Sequence, residues 1–271
     1  MLALIRACHP GPTVVVTAVG CALAAGVGRG AGGTFLVGAA VLSGQLSIGW
    51  SNDWIDRTRD RAIGRADKPL TGDSAEPRTV AGAAFAALAL CVPLSLASGV
   101  LAGSVHLAAV ACGWLYNLRL KAGVASPLPF AVAFGLLPAF VTLGLPGEPW
   151  PAWWALLAGA LLGMGAHFAN VVPDLPDDLA LGVRGLPQRL GPTGARLGAA
   201  LLLVAASVVI ALAPGDRGGP VTVAGLGAVA VVLIGSLLMA RRSVRRAAFA
   251  VTVAVAAIDI MMFAAQGGSL V

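Results

Sequence analysis

Residues 33–50, GTFLVGAAVLSGQLSIGW, run directly into residues 51–60, SNDWIDRTRD. The first stretch is as long and as apolar as a bilayer-spanning helix, and the second sets Asn52, Asp56 and Asp60 at intervals of four. A helix continuing through the junction places those three side chains on one face, spread over roughly 12 Å at about 1.5 Å of rise per residue. Gln45, seven residues before Asn52, carries the same face into the membrane. Carboxylates stacked on one face repel one another. A polar row closing an apolar helix therefore implies a wet cavity and something cationic to fill it.

The rest of the chain has the same apolar character. Of 271 residues, 58% are hydrophobic and 11% charged, with a mean hydropathy of +0.89. Soluble domains carry about 25% charged residues, so the composition excludes that class. A window of roughly 19 residues finds apolar segments near 12–28, 33–51, 78–98, 100–118, 125–145, 152–172, 193–213, 220–240 and 247–265. Backbone polar groups in lipid must be satisfied within their own segment. The expected fold is therefore an all-α integral membrane protein, nine transmembrane helices in a single bundle, with residues 1–271 forming one domain. Arg6 ahead of the first segment and ALAAG near its end have the layout of a signal peptide, but removing that segment would leave eight spans. A retained first span is expected.

A net charge of +6 and a pI near 9.9 suggest a nucleic-acid partner until the basic residues are sorted by loop. The N-terminus and the even-numbered loops hold sixteen of them, and the odd loops only Arg29 and Arg217. That asymmetry is the positive-inside bias of a chain in the cell membrane with a cytoplasmic N-terminus. The expected partner of the surface is the lipid bilayer, and no nucleic acid. Cys8, Cys21, Cys91 and Cys112 are scattered without pairing motifs and are expected as packing residues.

Nine of the twelve acidic residues fall in or beside two loops on the cytoplasmic side. The second group repeats the opening pattern: in NVVPDLPDD, Asn170, Asp174 and Asp178 stand four apart, and His167 precedes Asn170 by three. Two such rows at one membrane face suit a hard divalent cation. Mg²⁺ is commonly held by one or two carboxylates together with substrate phosphates. Arginines and lysines around the rows would then contact the phosphates. Pro173 and Pro176 interrupt the second row and predict a helix that ends or kinks near Val172. Asp177 competes with Asp178 as the last ligand.

NDWIDRTRD (52–60) resembles the first aspartate-rich signature of the UbiA superfamily of intramembrane prenyltransferases. NVVPDLPDDLALGVRGLPQRLG (170–191) resembles the second signature and the segment that follows it, and DKPLTGD (67–73) is similar to the loop between helices 2 and 3. With the nine segments, the resemblance covers essentially the whole chain. It implies a central cavity open to lipid, Mg²⁺ as cofactor, an isoprenyl diphosphate donor and a hydrophobic small-molecule acceptor. By motif, Asn52, Asp56, Asp60, Asn170, Asp174 and Asp178 carry over as metal ligands, with Asp56 and Asp174 also counted as catalytic. Diphosphate contacts are expected from Asn52, Asn170, Arg61, Arg65, Lys68, Arg119, Lys121 and Arg184. Where the family often has Tyr-x-x-x-Lys, this chain reads YNLRLK (116–121), so Leu120 stands four residues after Tyr116, between Arg119 and Lys121. Tyr116 remains a catalytic candidate, and either cation can reach the phosphate.

His167 is the candidate general base. Trp50 and Trp54 are expected in the interfacial belt, as are Trp150, Trp153 and Trp154 at the opposite face. Asp259, well inside the ninth segment, either bonds a neighbouring helix or touches the acceptor. The small residues of GAAVLSG and GALLGMG suit close helix packing. The leading reading is a transferase acting on a hydrophobic, aromatic acceptor. The alternative is a terpene cyclase on the same scaffold, in which the donor's own double bonds capture the cation. A non-catalytic lipid transporter would place its ionisable groups nearer the bilayer midplane.

Overall fold

A computed structural model describes residues 2–62, 64, 68–71, 76–213, 220–239 and 244–271. A short α1 (Leu2–Ala7) precedes α2 (Pro10–Gly26), α3 (Gly30–Ala62), α4 (Pro77–Leu96), α5 (Val100–Leu118) and α6 (Leu128–Thr142). Then come α7 (Trp153–Ala180), α8 (Leu186–Leu212), α9 (Pro220–Met239) and α10 (Val244–Ala265). Among the described residues, α2 to α10 overlap the nine apolar segments in order. Five of them, α3, α4, α5, α7 and α8, are long and apolar enough to cross a membrane, while α2 and α6 are apolar but shorter. Prolines open α2, α4 and α9, where a missing N–H costs nothing and the fixed φ suits the first turn.

The 33 residues of α3 extend about 50 Å, against about 30 Å of hydrocarbon. Its last turns therefore project beyond the lipid with the first polar row attached. The second row differs from expectation, because α7 runs as a single helix from Trp153 to Ala180 with Pro173 and Pro176 inside it. The prolines leave the carbonyls of Ala169 and Val172 without a helical donor. The helix carries on through both positions without the usual N–H donors. The Asn170–Asp174–Asp178 spacing thus survives intact. The apolar run of α8 begins beyond a kink at Gly191, so the turn carrying Gln188 points differently from the rest of the helix.

Around this frame α3 packs on α2, α4 and α5, and α7 on α6 and α8. Helix α10 touches α2, α7, α8 and α9, which closes the bundle. The densest packing lies away from the aspartates, around Leu23, Val37, Phe140, Leu203 and Ile210. Trp150 and Trp153 are exposed as a belt requires, but Trp154 is only 3% exposed and meets Phe263 edge-on at 6.0 Å. It belongs to the core rather than to the belt, because its helical position turns it toward α10. Asp259 is also internal: it accepts a 2.5 Å bond from Ser207 Oγ on α8, which ties α10 to that helix. His106 stacks on Phe140 at 4.3 Å and pairs with Ser95 at 2.7 Å. All four cysteines are free, with Cys8 and Cys91 buried.

Candidate active site

Both polar rows line one cavity of about 430 Å³. Asn52, Asp56 and Asp60 reach it from α3, and Asn170, Asp174, Asp177 and Asp178 from α7. Gln45, Tyr116, Phe130 and His167 form walls nearer the membrane interior. The helical spacing read from the sequence thus delivers two facing sets of oxygen ligands to a shared space.

On α3 the acids already have cationic partners. Asp56 Oδ1 accepts from Arg59 at 2.7 Å, and its Oδ2 accepts from Lys121 Nζ. Lys121 sits on a single 3-10 turn, Leu120–Ala122, just past α5. Burial pulls its ammonium below the usual lysine value, partly offset by Asp56 and, more weakly, by Asp178. Lys121 thus pairs with the α3 row and lines the cavity that both rows share. Asp60 is buried beside the same cavity. Asn52 donates from Nδ2 to Asn117 Oδ1 at 3.0 Å.

The intervening Asp53 lies on another face of α3. Its side chain is 2% exposed, with Lys68 Nζ 2.6 Å and His9 Nε2 3.0 Å from Oδ1. Lys68 Nζ is also 3.2 Å from His9 Nε2. This cluster draws the segment before α2 and the segment after α3 together at the cavity mouth, where Cys8, His9 and Lys68 are lining residues. Gly49 permits it: a Cβ there would stand 2.3 Å from the Cys8 carbonyl oxygen. Lys68, expected to contact diphosphate, lines the cavity as a partner of Asp53.

On α7 the described polar partner of Asp178 is an amide. Gln188 Nε2, at the start of α8, donates to Asp178 Oδ2 at 2.8 Å. The backbone here is fixed by a left-handed Gly182 with φ of 74° just past the helix end. Gly182 N bonds Leu179 O at 3.2 Å and Val183 N bonds Asp178 O at 2.8 Å, the paired closure of a glycine-capped helix. Asp177 and Asp178 both line the cavity, and Gln188 anchors the second.

The apolar wall is aromatic. Tyr116 meets Phe130 edge-on at 4.9 Å and His167 at 5.4 Å, while His167 stacks on Phe130 at 4.6 Å. His167 Nε2 lies 3.1 Å from Ser126 Oγ, which also accepts from Leu186 N–H at 3.1 Å. The candidate base thus links α7, the turn before α6 and the start of α8.

Three of the expected diphosphate contacts are placed elsewhere. Arg61 Nε caps the Leu70 carbonyl at 2.9 Å, and Arg119 and Arg184 are exposed; none of the three lines the cavity. Arg61 stands five residues after Asp56 and so turns off its face, while Arg119 and Arg184 sit on solvent-facing turns. Arg65 lies outside the described residues. Of the two cations flanking Leu120, Lys121 faces the acids. Arg59, Asn117, Ser126 and Gln188 contact the candidate residues of the site, and sequence reading missed them. Arg59 could have been found three residues after Asp56, where helical pairs meet. The others depend on contacts between distant segments.

Among the described residues no three His, Cys, Asp or Glu side chains form a ready-made metal cage. The donor chemistry still fits Mg²⁺. All the row ligands are oxygens, they face a cavity, and Mg²⁺ commonly takes only one or two carboxylates while phosphate and water complete its shell. Asn52, Asp56 and Asp60 would hold it on one side, and Asn170, Asp174 and Asp178 on the other.

A profile described as the UbiA prenyltransferase family matches residues 13–265. Bacteriochlorophyll synthase 33 kDa chain of Cereibacter sphaeroides is 32% identical over 187 residues, 64% of this chain and 60% of that protein. Digeranylgeranylglyceryl phosphate synthase of Methanopyrus kandleri is 29% identical over 209 residues, 75% of this chain and 74% of that protein. The match to the Methanothrix thermoacetophila enzyme of the same name spans 61% of its length. In three dimensions a UbiA homolog from Archaeoglobus fulgidus, bound to DMAPP and Mg²⁺, superposes with a TM-score of 0.73. It is 18% identical, and the match covers 99% of this chain and 100% of that one.

Proposed function

The chain belongs to the UbiA prenyltransferase family, and from that premise we propose that it is a Mg²⁺-dependent intramembrane prenyltransferase. It moves an isoprenyl group from an isoprenyl diphosphate to a hydrophobic acceptor and releases diphosphate. The reading rests on one observation: two Asn-Asp-Asp rows line the same cavity, and Lys121, paired with Asp56, lines it with them. The acceptor we propose is aromatic, as the names of the bacteriochlorophyll and 4-hydroxybenzoate relatives suggest, while two other relatives are named for digeranylgeranylglyceryl phosphate. All of residues 1–271 form one domain, with nine helices crossing the cell membrane. The N-terminus and the active site face the cytoplasm, consistent with the sorting of basic residues.

The metal, when bound, neutralises charge that develops on the departing diphosphate. The chain's own groups account for the rest. Lys121 and Arg59 rest on Asp56 and turn to diphosphate oxygens as donor enters, which leaves the Asp56 carboxylate to hold Mg²⁺. The allylic C–O bond breaks with its electron pair going to diphosphate, stabilised by cations already in place. Tyr116, Phe130 and His167 keep water from the allylic cation. The acceptor then bonds to the allylic carbon and gives up a proton to His167, the candidate base that lines the cavity.

The test is turnover by purified protein in detergent, with Mg²⁺ and geranyl, farnesyl or geranylgeranyl diphosphate, followed by mass spectrometry with and without a lipid extract. A prenylated product that needs the extract, and disappears in Asp56→Ala and Asp174→Ala, supports the transferase. A cyclised hydrocarbon made without acceptor overturns it in favour of a cyclase.

A further inference from the structure

We propose that Asn117 is a positioning residue that dictates which end of the Asn52 side chain meets the metal. The inference rests on the metal reading above and adds to it a residue outside both signatures.

An asparagine side chain offers an oxygen at one end and an NH₂ at the other, and only the oxygen can ligate a hard cation. The terminal torsion is broad and roughly two-fold, so nothing within Asn52 selects between the two orientations. The selection comes from outside. Asn117, at the last turn of α5 and 2% exposed, makes three polar contacts with α3. Its Nδ2 lies 3.0 Å from Ile48 O and 2.9 Å from Ser51 Oγ, and its Oδ1 lies 3.0 Å from Asn52 Nδ2.

Two of those partners admit only one assignment. A backbone carbonyl can only accept, so the Asn117 atom facing Ile48 O must be the nitrogen. Ser51 Oγ gives its single hydrogen to Ile48 O at 2.9 Å, so toward Asn117 it too can only accept. Both Asn117 hydrogens are thereby spent, and its oxygen turns to Asn52. Asn52 must answer with its NH₂, which leaves its own Oδ1 for the cavity that Asn52 lines. The register of α3 makes this possible, because Ile48, Ser51 and Asn52 at i, i+3 and i+4 share the face that α5 contacts. Ser51 is fully buried, so water cannot substitute for the anchor. A carbonyl in the membrane thus fixes the polarity of a ligand one turn away.

The test is Mn²⁺ binding by the full chain in detergent, read by the loss of the free-ion electron paramagnetic resonance signal. Wild type is compared with Asn52→Ala, Asn117→Leu and the double variant, and thermal melting is recorded for each. The expected result is an Asn117→Leu affinity about 10- to 100-fold weaker, the usual cost of losing an outer-shell partner. The double variant should bind no more weakly than Asn52→Ala alone, because Asn117 acts only through Asn52. If the leucine variant does not fold, Asn117→Ser replaces it, since serine keeps a polar group but is too short to reach Asn52. Binding by the Asn117 variant equal to wild type, or additive losses in the double variant, overturns the positioning role. Unchanged binding by Asn52→Ala overturns the metal reading itself, and the inference with it.

Discussion

The two polar rows look alike in sequence but differ in what surrounds them. On α3, Asp56 is held between Arg59 and Lys121, and its neighbour Asp53 between Lys68 and His9. On α7, Asp178 is held by the amide of Gln188, and Asn170 and Asp177 are exposed at the cavity edge. The α3 row therefore keeps two cations on Asp56, whereas on the α7 row the amide of Gln188 orients Asp178. We propose that the rows do unequal work: Lys121 and Arg59 on the α3 side respond to the leaving group, and Gln188 aligns the α7 side.

That contrast fails if substitutions in the two rows behave alike. Asp56→Ala should have the largest effect, a loss of about 10³-fold in kcat, because it removes a ligand and the resting partner of two cations at once. Measured as diphosphate release, the loss should exceed that of Asp178→Ala. Lys121→Met should cost about 10²-fold in kcat with a smaller change in KM, as expected for a contact that strengthens while the leaving group gains charge. Lys121→Arg should restore only part, since a planar guanidinium does not reproduce the compact point charge of an ammonium. Gln188→Leu should act differently, raising the Mg²⁺ concentration needed for half-maximal rate about tenfold with little change in kcat. A kcat loss from Gln188→Leu as large as that from Lys121→Met would remove the distinction between the rows.

How much of this was legible in the sequence depends on whether a residue's role is local. Helix order and the two rows could be read directly, because apolar length and spacing of four are properties of one segment. The prolines of α7 misled, since a local preference against helix yields to the packing of α7 on α6 and α8. Trp154 misled for a similar reason: one helical step separates a belt tryptophan from one packed on Phe263. Arg61, Arg119 and Arg184 have the right charge in the right loops, and only the backbone path shows that they face away. Asn117 and Gln188 could not be found at all. Each meets its row across the fold, and neither YNLRLK nor LPQRLG shows a period that would mark it.

The smallest effect we predict tests whether the α3 row needs its surroundings or only its ligands. Gly49→Ala introduces a Cβ that would fall 2.3 Å from the Cys8 carbonyl, a backbone atom that can yield only if the segment before α2 moves. Overpacking of this kind costs about 1–3 kcal/mol, visible as a lower melting temperature. The displaced segment carries His9 away from Asp53, but Lys68 keeps its own 2.6 Å contact. Asn52, Asp56 and Asp60 project from a different face of α3 and should stay in place. Activity should therefore fall less than tenfold while stability falls measurably. A collapse of activity at unchanged melting temperature would mean that the His9–Asp53–Lys68 cluster takes part in turnover, and that the compensation around α3 extends to every acid on the helix.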